Sequence, residues 1–521
     1  MSSASATSVT PLPQQDGGPI EPDFYTFARH YDAGTPQVAW TRLVADLETP
    51  VSAMLKLALE RPNSFLLESV EGGAARGRYS IIGCEPDLIW RANGGRAEVN
   101  RTPLTDASAF ALSPLPTLQS LRALLAESAI ELPSELPPMA AGIFGYMGYD
   151  TIRLIEDLPT TKPDSLGLPD SILVRPTLIV ISDTMKDEMT VVTPVRPAPG
   201  VSANAAYTRA ADRLNVVLER LERPLPHVRD LEVEAAHPEP KPSMSPEAYM
   251  EKVARAKDYI AAGDIFQVVL SQRFEAPFTL PSFSLYRALR RVNPSPFLYY
   301  LNFDGFAVTG SSPEILVRVR GGIITIRPIA GTRPRGATPE EDKALAEELL
   351  ADAKERAEHL MLLDLGRNDV GRVAEVGSVR VTDSFFLEYY SQVMHIVSNV
   401  EGRLDSRFDA IDALLAGFPA GTVSGAPKVR AMEIIDELED GKRGLYAGCV
   451  GYFSANGEMD SCIVLRTSVV KGGTMYVQAG AGVVADSVPQ REQAECVSKA
   501  SALFRAAEEA VRFAVRAKRA Q

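Results

Sequence analysis

A chain of 521 residues with 45% hydrophobic and 23% charged side chains has the composition of a globular enzyme, not of a disordered or fibrous polymer, and is long enough for two cores or one large composite core. Its net charge of −13, with no lysine or arginine run able to track a phosphate backbone, argues against nucleic acid and anionic membrane as partners. No apolar stretch approaches the roughly 18 to 20 residues that span a bilayer, and no basic-then-apolar leader is present, so the expected location is the cytoplasm.

Residues 1–22 are poor in hydrophobic side chains and carry Pro11-Leu-Pro13 and Gly17-Gly18, which predicts a flexible tail. Residues 23–222 form a first half. Pro224, Pro226, Pro238, Pro240 and Pro242 mark a linker over 223–244, and 245–521 form the second half, with no internal repeat. The four cysteines, Cys84, Cys449, Cys462 and Cys496, make no C-x-x-C spacing and read as buried thiols.

The second half opens on a helix with explicit signals: Ser245 as N-cap, Pro246 at the first turn, Tyr249, Val253, Ala256 and Ile260 on one stripe, and Gly263 as the stop. A strand over 265–274 follows, with Phe266, Val268, Leu270 and Phe274 on one face and Gln267, Ser271 and Arg273 on the other. Thr338-Pro-Glu-Glu341 is a capping box that should start one long helix reaching Met361 or beyond. Asp486 to Pro489 precedes a last long helix, whose buried stripe is marked by Val497, Phe504 and Val511.

Glu355 and Glu358 share one helix face, as do Glu492 and Glu495. Glutamates at this spacing are ordinarily solvated surface. If the two faces meet in a cleft, four carboxylates repel one another and take up protons unless a hard cation lies between them; Mg²⁺ is the natural one. Gly480-Ala-Gly482-Val-Val-Ala485 fits a dinucleotide pattern, but the delayed helix and the lack of a second strand argue against that fold. The glycines read either as a plain turn or as backbone that lets N–H groups approach a small carboxylate.

Residues 263–274, Ser312-Pro-Glu-Ile-Leu316, Arg327-Pro-Ile-Ala-Gly-Thr332, residues 358–369, Val393-Met-His-Ile-Val-Ser398, Gly421-Thr-Val-Ser-Gly-Ala-Pro-Lys428 and residues 478–486 together resemble the chorismate-utilising enzyme family, most closely its anthranilate-forming large subunits. The resemblance runs from about residue 65 to 499. It implies an α/β fold of α+β type, with antiparallel sheets flanked by helices around a central cleft that holds Mg²⁺ and chorismate.

By that resemblance Glu358 and Glu495 are the direct Mg²⁺ ligands, with Glu355 and Glu492 acting directly or through water, and Glu314 is the general acid that protonates the departing ring hydroxyl. Tyr446, Arg466, Lys499 and the backbone of Gly480, Ala481 and Gly482 correspond to positions that hold substrate carboxylates. Taken alone, Lys499 is an ordinary i, i+4 partner of Glu495. Arg466, in an apolar strand-like run, needs a buried partner or a ligand anion. His395 corresponds to a histidine linked to the loss of pyruvate; alone it reads as a satisfied core residue. Thr422 lines the same site, though alone it reads as a turn hydroxyl.

Members of the family that add water carry a lysine where this chain has Gln267; water needs a base and ammonia does not. Members that pass through a covalent lysine carry it where this chain has Ala330. The resemblance therefore implies direct amination of chorismate and elimination of pyruvate to give anthranilate, a lyase reaction of tryptophan biosynthesis. Ammonia would come from a separate glutamine amidotransferase subunit, because no cysteine-centred amidotransferase segment is recognisable, and the assembly would be a hetero-oligomer.

Leu66-Leu67-Glu68-Ser69, Arg78-Tyr79-Ser80 and Asn293-Pro294-Ser295-Pro296 resemble the family's tryptophan-binding segments, which makes 23–222 a regulatory half and 245–521 a catalytic one. Each segment alone is a strand end or a tight turn. Phe297-Leu298 stands where many members have Tyr-Met. The rival readings are a relative that stops at aminodeoxychorismate and a non-catalytic tryptophan sensor.

Overall fold

Alternating apolar side chains along 22 strands build a single sheet in the computed structural model, which describes residues 18–59, 61–69, 77–159, 162–225, 239–390 and 393–519. Among the described residues every pairing between these strands is antiparallel, so each strand can present one face to helices and the other to a neighbouring layer. The sheet divides into two arms at the strand Tyr79–Asn93. One arm passes through Ser64–Ser69, Phe297–Phe303, Phe306–Ser312, Thr467–Lys471 and Thr474–Val483 to Gln267–Pro277. The other passes through Ser171–Asp183, Gly142–Met147, Cys449–Ser454, Met459–Ile463, Ile315–Arg320 and Ile323–Ile326 to Val393–Arg403. Strands from the first half of the chain are thus hydrogen-bonded to strands from the second in both arms.

Two of the sequence-derived end signals behave as expected. Ser245 Oγ accepts from the Ala248 N–H at 3.2 Å, the helix Pro246–Ala261 buries Tyr249, Val253 and Ala256, and Gly263 takes a φ of 85° that only glycine adopts without strain. The following strand starts at Gln267, however, and Phe266 lies outside it, 70% exposed. The strand is buried on both faces from Gln267 to Gln272, so Gln267 and Ser271 are as enclosed as Val268 and Leu270.

The single long helix expected after Thr338 is two helices, Pro339–Ala351 and Ala353–Gly371. Asp352 breaks it: its carboxylate accepts from the Lys354 and Glu355 N–H groups at 2.9 and 3.1 Å, a local bond that outcompetes helix continuation. The capping box at the first start is half formed, because Thr338 accepts from the Glu341 N–H while the Glu341 carboxylate turns to the Ala337 N–H. In the last helix, Pro489–Arg519, Val497 is exposed. The buried stripe is Cys496, Ala500, Leu503, Phe504, Ala507 and Val511, and the helix packs on the helices Ser282–Val292 and Pro246–Ala261.

Of the expected tail, residues 1–17 lie outside the described residues. Residues 18–22 are held rather than free: the Gly18 N–H donates to Arg42 O at 3.0 Å and Glu21 bridges Trp40. Of the expected linker, 226–238 lie outside the described residues, while Lys241–Pro242 pairs with Phe274 and Glu275. The four cysteines are buried and unbridged. No helix among the described residues is long and apolar enough to cross a membrane.

Asp352 starts the helix that carries Glu355 and Glu358. The variant Asp352→Ala should lose about 1 kcal/mol of stability, seen as a lower urea midpoint with an unchanged m-value; an unchanged midpoint would mean that the side-chain cap is energetically idle.

Candidate active site

The chain passes between the two arms at two adjacent places, and a candidate site residue sits at each. Glu314 lies between the strands Phe306–Ser312 and Ile315–Arg320, and Arg466 between Met459–Ile463 and Thr467–Lys471. The two crossings are tied together, with the Ile463 N–H donating to Glu314 O at 3.0 Å and the Ser311 N–H to Arg466 O at 3.1 Å. Arg466 therefore lies outside any strand, contrary to the apolar-strand reading, with a φ of 47° forced by the change of direction. Among the described residues it has no carboxylate ion-pair partner.

Glu314 is buried, and loss of hydration pushes its carboxyl up to about 8, against the opposing hydrogen bonds from Thr422 and the Ile329 N–H. Thr422 Oγ1 stands 3.2 and 3.1 Å from the two carboxyl oxygens, so this hydroxyl belongs to the acid and not to the turn Gly421–Val423 alone. A carboxyl in this state still carries its proton at neutral pH.

His395 lies on Val393–Arg403 opposite Thr332. Burial, with a contribution from the Arg466 charge, lowers its imidazole to about 4, so it is neutral at physiological pH. Nδ1 faces Gly331 O at 3.2 Å and Thr332 Oγ1 at 3.0 Å. A carbonyl can only accept, which places the proton on Nδ1 and leaves a lone pair on Nε2. The ring of Tyr390 packs edge-on against His395 with centroids 5.4 Å apart, and its hydroxyl donates to Glu388 at 2.7 Å.

The paired glutamates face one another across the cleft. Burial, then the charges of Glu355 and Glu495, raise the Glu358 carboxyl; burial and Glu495 raise Glu492. Burial is the larger cause for both, and the neighbouring carboxylates add to it. Gln267 Nε2 stands 3.4 Å from Glu358 Oε1. Glu355 is held by Arg333 at 3.3 Å, and Glu495 by Lys499 at 2.8 Å. Among the described residues no three acidic or imidazole side chains converge closely enough to hold an ion as they stand. Two of the four carboxylates, Glu355 and Glu495, are turned to the protein cations Arg333 and Lys499.

Gly480, Ala481 and Gly482 lie in the strand Thr474–Val483 and not in a turn. Their partners across the ladder are Ser271, Leu270 and Val269. The Ser271 N–H bonds the Glu439 carboxylate and the Val269 N–H bonds Ser424 O. Gly480 and Gly482 thus form non-hydrogen-bonded pairs, and their N–H groups point to the opposite edge. A Cβ on Gly480 would lie 2.7 Å from both Leu270 O and Tyr446 Oη, so glycine is required there; one on Gly482 would lie 2.7 Å from Gln267 Nε2 and would displace that side chain. Lys499 makes the bland pair with Glu495 and also donates to Gly480 O at 2.9 Å, which joins the last helix to this strand.

The three segments named for inhibitor binding come together through strand pairing: Ser69 opposes Phe297, Glu68 opposes Leu298, and Glu68 also opposes Ser80. Glu68, Ser69, Arg78, Tyr79, Pro296, Phe297 and Leu298 line one wall of a cavity of about 600 Å³. Asn293 caps the helix Ser282–Val292, and Pro294 and Ser295 lead into the strand without lining the cavity. The Glu68 carboxylate is held by Arg290 at 2.7 Å and by Tyr286. The opposite wall includes Pro313, Ile315, Glu388 and Tyr390. Residues on either side of Glu314 thus face this cavity, while Glu314 itself turns to Thr422.

Sequence reasoning missed Tyr390, Thr332 and Arg333. The strands Arg380–Tyr389 and Val393–Arg403, paired from Tyr389 to Met394, place Tyr390 beside His395, and the run Gly331-Thr-Arg-Pro-Arg335 held the other two.

A buried acid that keeps its proton and a buried neutral imidazole are groups suited to acid–base chemistry. The model of the family described as chorismate binding enzyme matches residues 71–505, and the chain belongs to that family. Within it, the chain is 58% identical over 494 residues, covering 95% of this chain and 99% of the relative, to anthranilate synthase component 1 of Cereibacter sphaeroides. It is 49% identical to the protein of that name from Thermus thermophilus, covering 89% and 96%. A crystal structure of anthranilate synthase component I from Streptococcus pneumoniae TIGR4 is similar with a TM-score of 0.73 at 38% identity, covering 88% and 98%. The isochorismate synthase MenF of Escherichia coli shares the fold, with a TM-score of 0.68 at 18% identity, covering 93% and 98%. By sequence the chain groups with the chorismate lyases named anthranilate synthase component 1.

The raised acid carries a stability signature. Folded Glu314 titrates near 8 against an ordinary 4.5, so the folded state binds the extra proton, and wild-type stability falls as pH rises between those values. The variant Glu314→Gln has no such loss. Its melting temperature relative to wild type should climb across that window and level off above it; a difference independent of pH would show that Glu314 is not buried as a neutral acid.

Proposed function

We propose that the chain is the chorismate-aminating large subunit of an anthranilate synthase, acting at the first committed step of tryptophan biosynthesis. Ammonia from a separate glutamine amidotransferase subunit adds to the chorismate ring, the ring hydroxyl departs as water, and pyruvate is then eliminated to leave anthranilate. The observation that carries the reading is Glu314, a carboxyl still protonated near neutral pH beside a hydroxyl that orients it, as a general acid requires.

Glu314 gives its proton to the departing ring oxygen. Gln267 Oε1 is buried with no hydrogen-bond partner among the described residues and serves as acceptor for an N–H of ammonia, a nucleophile that needs no base. His395 presents the Nε2 lone pair and takes the ring proton whose loss accompanies departure of pyruvate. Arg466, Lys499 and the Gly480 and Gly482 N–H groups hold the substrate carboxylates, and Tyr446 closes the wall behind them. Mg²⁺ held by Glu358 and Glu495, with Glu355 and Glu492 directly or through water, would supply Lewis-acid polarisation at the ring carboxylate. The repulsion recorded on Glu358 and Glu492 supports a cation there.

With ammonia, Mg²⁺ and chorismate, the protein should generate the fluorescence of anthranilate. Accumulation of a non-aromatic amine would instead support an aminodeoxychorismate synthase, and no turnover would support a sensor. The variant Glu358→Gln should lose on the order of 10²-fold or more in turnover; wild-type turnover would remove Glu358 from the metal site.

Feedback by tryptophan in the cavity lined by Ser69 and Phe297 belongs to the same reading, and its coupling must be reciprocal, chorismate weakening tryptophan as tryptophan weakens chorismate. Ser69 Oγ donates to Tyr79 O at 3.2 Å, at the cavity wall. Ser69→Arg should fill that wall and relieve inhibition while keeping the uninhibited rate near wild type; full inhibition by tryptophan in this variant would place the effector elsewhere.

A further inference from the structure

A buried ion pair is bonded to segments that carry the proposed site, and of the groups proposed to line that site it contacts Tyr446. Arg443 and Glu439, four residues apart just past the end of the helix Lys428–Leu438, are 1% and 7% exposed. Arg443 Nε donates to Glu439 Oε2 at 2.9 Å and Nη2 to Glu439 Oε1 at 2.6 Å. The rest of the fork is spent on backbone carbonyls of two other segments, Nη1 on Val423 O at 2.8 Å and Nη2 on Val269 O at 2.6 Å. Glu439 Oε1 in turn accepts from both the N–H and the hydroxyl of Ser271, at 2.8 and 2.9 Å. The guanidinium also lies 5.5 Å from the Tyr446 ring centroid and 4.8 Å from that of Tyr149.

Val423 follows Thr422, whose hydroxyl orients Glu314. Val269 and Ser271 follow Gln267 on its strand and pair with Gly482 and Gly480. One guanidinium therefore spans the acid's turn, the strand of the ammonia acceptor, and the ring beside the glycines. A buried pair recovers its desolvation only when its remaining donors are satisfied, and here they are satisfied by these segments alone. A lysine could keep the charge but not the fork.

We infer that Arg443 and Glu439 are a positioning pair for the reaction, a strut that sets the distance between the Thr422–Glu314 acid and the Gln267–Gly480 wall. This rests on Glu314 acting as the proton donor. Loosening the strut should weaken the Thr422 hydrogen bond, which holds the Glu314 carboxyl down, so the alkaline limb of the rate should move to higher pH. The titratable groups facing Glu314 among the described residues are Tyr390 and, along a small cavity below it, Asp369, which is neutralised by Lys428 at 2.8 Å. Neither is bonded to the strut.

The test compares wild type, Arg443→Lys and the milder Ser271→Ala, which removes one hydroxyl from Glu439, in steady-state anthranilate formation from ammonia across pH. Arg443→Lys should lose about 10- to 100-fold in kcat, with a smaller change in the KM for chorismate and an alkaline limb displaced upward. Ser271→Ala should show the same displacement with a loss of about threefold. A folded Arg443→Lys with wild-type kcat and pH profile overturns the inference; if that variant does not fold, an unchanged profile in Ser271→Ala overturns it. Absence of anthranilate from the wild type overturns the reading of the reaction and this inference with it.

Discussion

Two hydrogen bonds, from the Ile463 N–H to Glu314 O and from the Ser311 N–H to Arg466 O, lace together the places where the chain leaves one arm of the sheet for the other. At such a crossing the ladder is interrupted and a side chain can be aimed into the gap between the arms instead of onto a pleated face. The acid and the arginine are brought to one cleft by backbone that has little freedom to move. The rest of the site is arranged about that junction: Thr422 on the acid, His395 and Tyr390 on the arm beyond it, and Gln267 with the two glycines on the arm before it.

The same side chain does different work at different depths. Glu314, enclosed by apolar backbone and given only a hydroxyl and an N–H, keeps its proton. Glu495, half exposed and beside Lys499, is an ordinary surface partner whose charge is felt by Glu358. Glu439, equally enclosed as Glu314 but clasped by Arg443, is an ion-paired anchor. Environment divides one residue type into a protonated acid, a surface partner and an ion-paired anchor.

The parts legible in the sequence were those whose physics is local. Ser245 and Pro246 announce a helix start within four residues, and i, i+3 glutamates share a face wherever the helix goes. Asp352 was missed because its side chain and the continuing helix compete for the same N–H groups, a contest that residue pattern alone leaves undecided. In the last helix Phe504 and Val511 lie on the buried stripe as expected, while the exposed Val497 gives way to its neighbour Cys496. Arg443 could not be read at all: its fork bonds Val269 O and Val423 O, 174 and 20 residues away, and only the folded chain brings them together. For Arg466 the apolar run suggests a strand, whereas the φ of 47° at a crossing between the arms depends on strands far apart in the chain.

The pairing of Gly142–Met147 with Cys449–Ser454 bears on how the polypeptide is made. When the first half has left the ribosome, this strand pairs with Ser171–Asp183 on one side, but its other edge waits for a partner some three hundred residues downstream. A nascent chain must therefore carry an unsatisfied apolar ladder through most of its synthesis, a topology associated with slow closure and with dependence on chaperones that shield such edges.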